Sequence, residues 1–90
     1  MKGWRIMMER YKMKPTANIG LDDELILFDD GTIRYITHNV WNGDEIVYED
    51  CEMYAVGNKG GMRIKYGSGS SFSFKDYTTG EIDKRLTKIL

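Results

Sequence analysis

The residues that could carry chemistry are few. His38 is the chain's single histidine and Cys51 its single cysteine. Nucleophilic catalysis needs a base held against an activated hydroxyl or thiol. Cys51 stands between Asp50 and Glu52, whose charges raise a thiol pKa rather than lower it. It reads as a small core or edge residue. His38 falls at a strand end beside Asn39 and reads as an ordinary sheet residue. Carboxylates come in close pairs: Asp22-Asp23, Asp29-Asp30, Asp44-Glu45, and Asp50 with Glu52. They occupy turn and strand-end positions, where Asp is favoured for local hydrogen bonding, and none has the spacing of a calcium loop. With no catalytic motif the chain reads as a non-enzyme, without a metal site or cofactor.

Two glycine-rich segments, 57–61 and 67–71, could cradle a phosphate through backbone N–H groups. A phosphate loop runs into a helix and carries Lys then Ser or Thr; here strands follow, so hairpin turns are the better reading. Arg63, Lys65 and Lys75 form a modest basic patch beside a serine-rich surface. Such a patch can track a nucleic-acid backbone when aromatic residues share its face. The nearby Tyr66, Phe72 and Phe74 are assigned inward.

Charge is distributed in blocks. Residues 1–20 carry five basic and one acidic side chain, residues 21–52 one basic and ten acidic, and residues 53–90 seven basic and three acidic. The net charge of −1 conceals this division. The acidic block comprises Asp22, Asp23, Glu24, Asp29, Asp30, Asp44, Glu45, Glu49, Asp50 and Glu52. Hairpins can bring several of these to neighbouring strand ends, and such a surface suits a basic partner. Ninety residues, 41% hydrophobic and 12% aromatic, make one ordinary folded domain. The single cysteine fits a reducing compartment. There is no signal peptide and no apolar run long enough to span a bilayer, which points to a cytoplasmic protein without membrane contact.

The elements that must position these residues are mostly strands. The centre is 24–38, where Asp30-Gly31 signals a two-residue turn. That register pairs Phe28 with Ile33, Ile26 with Tyr35 and Glu24 with Thr37, and makes Phe28, Ile33, Ile26 and Tyr35 a core face. A first strand is expected over 3–13, with Trp4, Ile6 and Met8 on one side. A loop containing Pro15, Asn18 and Gly20 follows. Asn42-Gly43 signals a second turn, before a strand at 45–49 with Ile46 and Tyr48 inward. Further strands are expected at 51–56, 62–66 and 71–75. Matching the apolar faces of the last two sets Tyr66 opposite Phe72, Ile64 opposite Phe74, Arg63 opposite Lys75, and Lys65 opposite Ser73. For the final segment, 79–90, a helix is predicted. Thr78 and Glu81 fit a capping box, and Ile82, Leu86 and Ile89 fall on one helical side.

The fold expected is therefore α+β: a small antiparallel, strongly twisted sheet or open barrel of about six strands, built from 24–29, 32–38 and the segments above, with one C-terminal helix. In size and composition the chain resembles the short proteins that phages and mobile elements encode, among them host-takeover and anti-defence inhibitors. That resemblance implies an inhibitor or adaptor. The leading expectation is a non-enzymatic binding protein presenting its acidic surface to a basic protein or nucleoprotein partner. The alternatives are a small nucleic-acid-binding module using Arg63, Lys65 and Lys75, and a small-molecule-binding homo-oligomer with aromatics such as Trp4, Tyr35 or Trp41 around a pocket.

Overall fold

The computed structural model describes residues 5–14 and 20–89. The expected positions of Gly3, Trp4, Pro15, Asn18 and Leu90 lie outside these residues. The described chain forms eight strands: β1 Met7–Met13, β2 Asp23–Phe28, β3 Ile33–His38, β4 Glu45–Tyr48, β5 Glu52–Val56, β6 Gly61–Tyr66, β7 Ser70–Lys75 and β8 Leu86–Lys88. They make two antiparallel sheets, one ordered β4-β3-β2-β1-β8 and one ordered β5-β6-β7. The sheets share one core of Tyr11, Met13, Leu25, Ile33, Tyr35, Cys51, Ile64, Phe72, Phe74 and Leu86. Leu25 from the larger sheet and Ile64 from the smaller are fully enclosed. Burying such a side chain contributes on the order of 1.5–3 kcal/mol.

The structure corrects the α+β expectation: the fold is all-β, with no helix among the described residues. The local cause lies at Asp76. Its carboxylate, not Thr78, acts as the cap: it accepts the backbone N–H groups of Thr78 at 2.7 Å and Thr79 at 3.3 Å, together with the Thr78 hydroxyl. The turn it closes ends in Gly80 at φ +74°, a left-handed conformation no α-helix accommodates. The chain then folds back on β7, with Ile82 bridging Lys75 and the Asp83 N–H donating to the Phe74 carbonyl at 2.9 Å. After a short turn β8 pairs with the edge of β1, with Met13 opposite Leu86 and Tyr11 opposite Lys88. The last segment thus straps the two sheets together, satisfying backbone groups that open strand edges leave unpaired. Of the three residues in the helical pattern, Leu86 enters the core, while Ile82 and Ile89 stay exposed.

Two hairpin registers also differ from expectation. Phe28 N–H donates to the Thr32 carbonyl at 3.0 Å, so the first hairpin turns through three residues, 29–31. Gly31, at φ +87°, supplies the left-handed position such loops require. Ile33 therefore pairs with Leu27, and Tyr35 with Leu25. Leu25 and Leu27 take the core face beside Ile33 and Tyr35, and Phe28 turns away beneath the guanidinium groups of Arg5 and Arg34, 4.4 and 5.2 Å from its ring centroid. Ile26, expected on the core face, is buried on the opposite one, paired with Arg10 and Arg34 and outside the shared core. In the β6–β7 hairpin Ile64 pairs with Phe72, Arg63 with Ser73 and Lys65 with Ser71. Between Arg63 and Ser73 that two-residue shift keeps the side chains on their expected faces, which is why Ile64 and Phe72 are still core, with Phe74 buried beside them.

Candidate functional site

The polar residues of interest gather where β1 and β3 end and β2 begins. Asp23 opens β2 opposite Met13. Strand alternation places Asp23, Leu25 and Leu27 on one face, and that face is the core. Asp23 is accordingly only 4% exposed. Its Oδ2 accepts the Tyr35 phenol at 2.9 Å. Burial, reinforced by the Asp23 carboxylate and opposed by a hydrogen bond with Thr37, raises the Tyr35 pKa well above the usual tyrosine value. The phenol is therefore a committed donor. The second oxygen, Oδ1, lies 3.5 Å from His38 Nδ1, beyond ordinary hydrogen-bond length, and among the described residues neither atom has a hydrogen-bond partner. A cleft of about 310 Å³ opens from this pair between the two sheets. It reaches Tyr66 and Phe72 on the smaller sheet, and Lys14 and Arg85 at its rim.

The β3–β4 loop borders the same cleft through Val40. Asn42-Gly43 does not form a two-residue turn. The loop runs from Asn39 to Asp44, closed by Asn39 N–H to the Asp44 carbonyl at 2.8 Å. The Asn39 carboxamide oxygen accepts the N–H groups of Trp41 at 2.8 Å and Asn42 at 3.3 Å. This local bonding holds Trp41 at the tip, 91% exposed. Leu21, itself exposed, lies against the loop: a Cβ added at Gly43 would stand 3.6 Å from its Cδ1.

The ten acidic residues do not share one surface. Asp23 is buried, Glu24 is ion-paired with Arg10 at 2.6 Å, and Glu49 with Arg34 at 2.6 Å. Asp29 accepts the Ile6 N–H at 3.0 Å, and Asp30 accepts the Thr32 N–H at 3.0 Å and hydroxyl at 2.6 Å, so both are engaged by local structure. The Thr32 bonds hold the Asp30 carboxyl below its ordinary pKa, and the Arg34 bond does the same for Glu49. Asp22, Asp44 and Glu45 are exposed at the end of the sheet that bears the Trp41 loop, opposite Asp29 and Asp30. Asp50 is exposed after β4, and Glu52 faces Lys65 across β5 and β6.

The basic residues are better assembled than expected in one respect. Arg63 and Lys65 lie on β6 between Tyr54 and Glu52 of β5 and Ser73 and Ser71 of β7. Arg63 donates to Ser71 Oγ through Nε at 3.2 Å and Nη2 at 3.1 Å. Tyr54 is a partly exposed aromatic on this face that the sequence reading did not assign; its bond with Ser71, then Arg63 and Lys65, lowers its pKa. Lys75 stands apart, opposite Met62 at a bulge rather than beside Arg63. Cys51 is buried, with its thiol pushed up by burial and directed to the Tyr48 carbonyl at 3.6 Å. Among the described residues no group of three potential metal ligands occurs, and no helix is long and apolar enough to cross a membrane. The chain matches no protein-family model, no curated protein and no solved structure.

Proposed function

We propose that this protein is a non-enzymatic adaptor or inhibitor that docks on a basic protein partner through the end of the larger sheet bearing Trp41. The observation that carries the reading is the exposure of Trp41, at 91%, with Val40 at 49% and Leu21 at 42% beside it. Aromatic anchors of this kind dominate binding energy when a partner's pocket desolvates them. Asp22, Asp44 and Glu45 are exposed at the same end of the sheet, and their charge steers a basic surface towards it. This narrows the acidic block to the three exposed carboxylates at that end of the sheet. The lone buried Cys51 suits a reducing, cytoplasmic setting.

The test is capture of the partner by immobilised protein, followed by binding kinetics with the purified partner. Trp41→Ala should slow nothing in folding yet weaken binding at least tenfold, about 1.4 kcal/mol. Joint replacement of Asp22, Asp44 and Glu45 by Asn, Asn and Gln should lower the on-rate at low salt. Unchanged affinity of Trp41→Ala would end this reading.

Tyr54 favours a second reading. With Arg63, Lys65 and the two serines it gives the outward face of β5-β6-β7 a stacking ring amid cations, the chemistry of single-stranded nucleic-acid binding. That reading requires salt-dependent binding of an oligonucleotide, lost on Tyr54→Ala and on charge reversal at Arg63 and Lys65.

A further inference from the structure

The outer strands of the two sheets are not equally protected. An edge strand presents unpaired N–H and C=O groups that another strand can take up, and proteins guard against this with coverings, bulges, short lengths and charge. β7 is covered at its end by Ile82, which bridges Lys75, and by Asp83, whose N–H donates to the Phe74 carbonyl. β1, where it runs past β8, is bulged between Met7 and Glu9. β8 is three residues long and is preceded by Lys84 and Arg85. β4 starts at Glu45, directly after Asp44, and is followed by Glu49 and Asp50. An antiparallel copy of β4 therefore brings carboxylate against carboxylate, which is unfavourable.

β5 has none of these devices. It is five residues long, pairs with β6 without a bulge, carries no proline, lysine or arginine, and among the described residues has no strand on its other side. Tyr54 and Ala55 on it are exposed. A groove of about 220 Å³ opens between Met53 of β5 and Leu27, Phe28 and Ile33 of the β2–β3 hairpin. Met53 is the one lining residue from the smaller sheet among those described, so the groove lies at the margin that β5 forms and not beneath the middle of that sheet. An open backbone edge and an apolar groove thus coincide.

We propose that two copies of this chain pair their β5 strands antiparallel about Tyr54, joining the two smaller sheets into one of six strands. That register sets Tyr54 opposite Tyr54, Met53 opposite Ala55 and Glu52 opposite Val56. No like charges meet across the seam, and each Glu52 already faces Lys65 of its own β6. The two tyrosines form a cross-strand aromatic pair of the kind that stabilises sheets. On the other face the small Ala55 side chain of the second copy lies beside Met53, which lets the added strand close over the groove. The contact uses the same patch on both copies and closes on itself as a two-fold dimer. A single strand pair is a small interface, so the dimer assembles at high concentration. It does not involve Trp41 and stands apart from the docking reading; it does take up Tyr54, which the oligonucleotide reading needs.

The experiment is sedimentation equilibrium of the full chain between about 10 μM and about 1 mM, with thermal unfolding of each variant as a check on the fold. The wild type should rise from the monomer's mass towards twice it. Tyr54→Lys and Tyr54→Glu each set like charges opposite one another at the two-fold axis and should weaken association about tenfold or more. Their melting temperatures should change little, because Tyr54 is outside the core. An equimolar mixture of the two variants should associate again, since opposite charges then face each other. Ala55→Lys, an inward-pointing edge charge of the kind that guards natural edges, should also weaken association and serves if the Tyr54 variants unfold. A wild type that stays monomeric at about 1 mM, folded variants that associate as it does, or a mixture that stays monomeric would overturn the proposal. So would association that Trp41→Ala abolishes.

Discussion

The two ends of β2 carry the same residue type in opposite circumstances. At its close, Asp29 and Asp30 lie in an exposed turn, and each carboxylate is occupied by backbone N–H groups or a neighbouring hydroxyl. At its start, Asp23 is buried, one oxygen taken by Tyr35 and the other unpartnered among the described residues. In sequence both are Asp-Asp pairs within one acidic block. The closing pair satisfies the chain's own backbone and builds the hairpin. The opening residue turns inward, one oxygen on the Tyr35 phenol and the other facing His38 Nδ1 at 3.5 Å. Acidic density along the sequence therefore does not foretell a shared acidic surface; the strand position of each carboxylate decides how it is engaged.

The largest expected effect tests the frame common to both ends. Leu25 lies between them and is fully enclosed against the smaller sheet's core. Leu25→Ala should cost about 2–5 kcal/mol, read by urea unfolding. A loss below about 1 kcal/mol would mean that the two sheets do not pack tightly enough around β2 to hold either end in place.

A smaller effect, of opposite sign, is expected at Asp23. Asn keeps an oxygen for the Tyr35 phenol, removes a buried charge and offers His38 an N–H donor. Asp23→Asn should raise stability by about 1 kcal/mol, as replacing a buried ionisable group by a neutral one of the same shape can do. A clear loss of stability, with the fold intact, would make Asp23 a structural residue like Asp30 and erase the contrast between the two ends.

Much of the sheet architecture is legible from alternation and turn residues, because those are local. Ile46 and Tyr48 face inward and the faces of β6 and β7 are as expected. Register is harder: a two-residue and a three-residue loop at Asp30-Gly31 differ by one residue in pairing, and only the backbone bond from Phe28 to Thr32 decides between them. The C-terminal segment is illegible for a different reason. Ile82, Leu86 and Ile89 satisfy helical spacing, but the free edges of β1 and β7 that claim this segment lie far away in sequence. Asp23 is not legible because register fails there too: the expected register puts Phe28 and Ile26 on the core face, which turns Leu25, Leu27 and Asp23 away from it, whereas the observed register brings all three inward. The cleft is not legible either, because its residues come from six separated segments that meet only in the fold.

The smallest effect separates the ends by pH. Thr32 stabilises the charged form of Asp30 in the folded state, so the folded pKa lies below the unfolded one. The resulting stability is fully present above the unfolded carboxylate pKa, about 4, and is lost as pH falls through the lower folded value. Asp76 is held low by Thr78 in the same way, as is Glu49 by Arg34, so the whole protein should weaken over this range. Replacement isolates the turn's share. Asp30→Asn should be less stable than the wild type at pH 7, and the difference should close as the pH falls well below about 4, because the wild-type carboxyl is then neutral too. Urea unfolding of both proteins across that range measures it. A difference that persists unchanged in acid would assign the turn's stability to shape rather than charge, and the saturated end of β2 would no longer owe its order to its carboxylates.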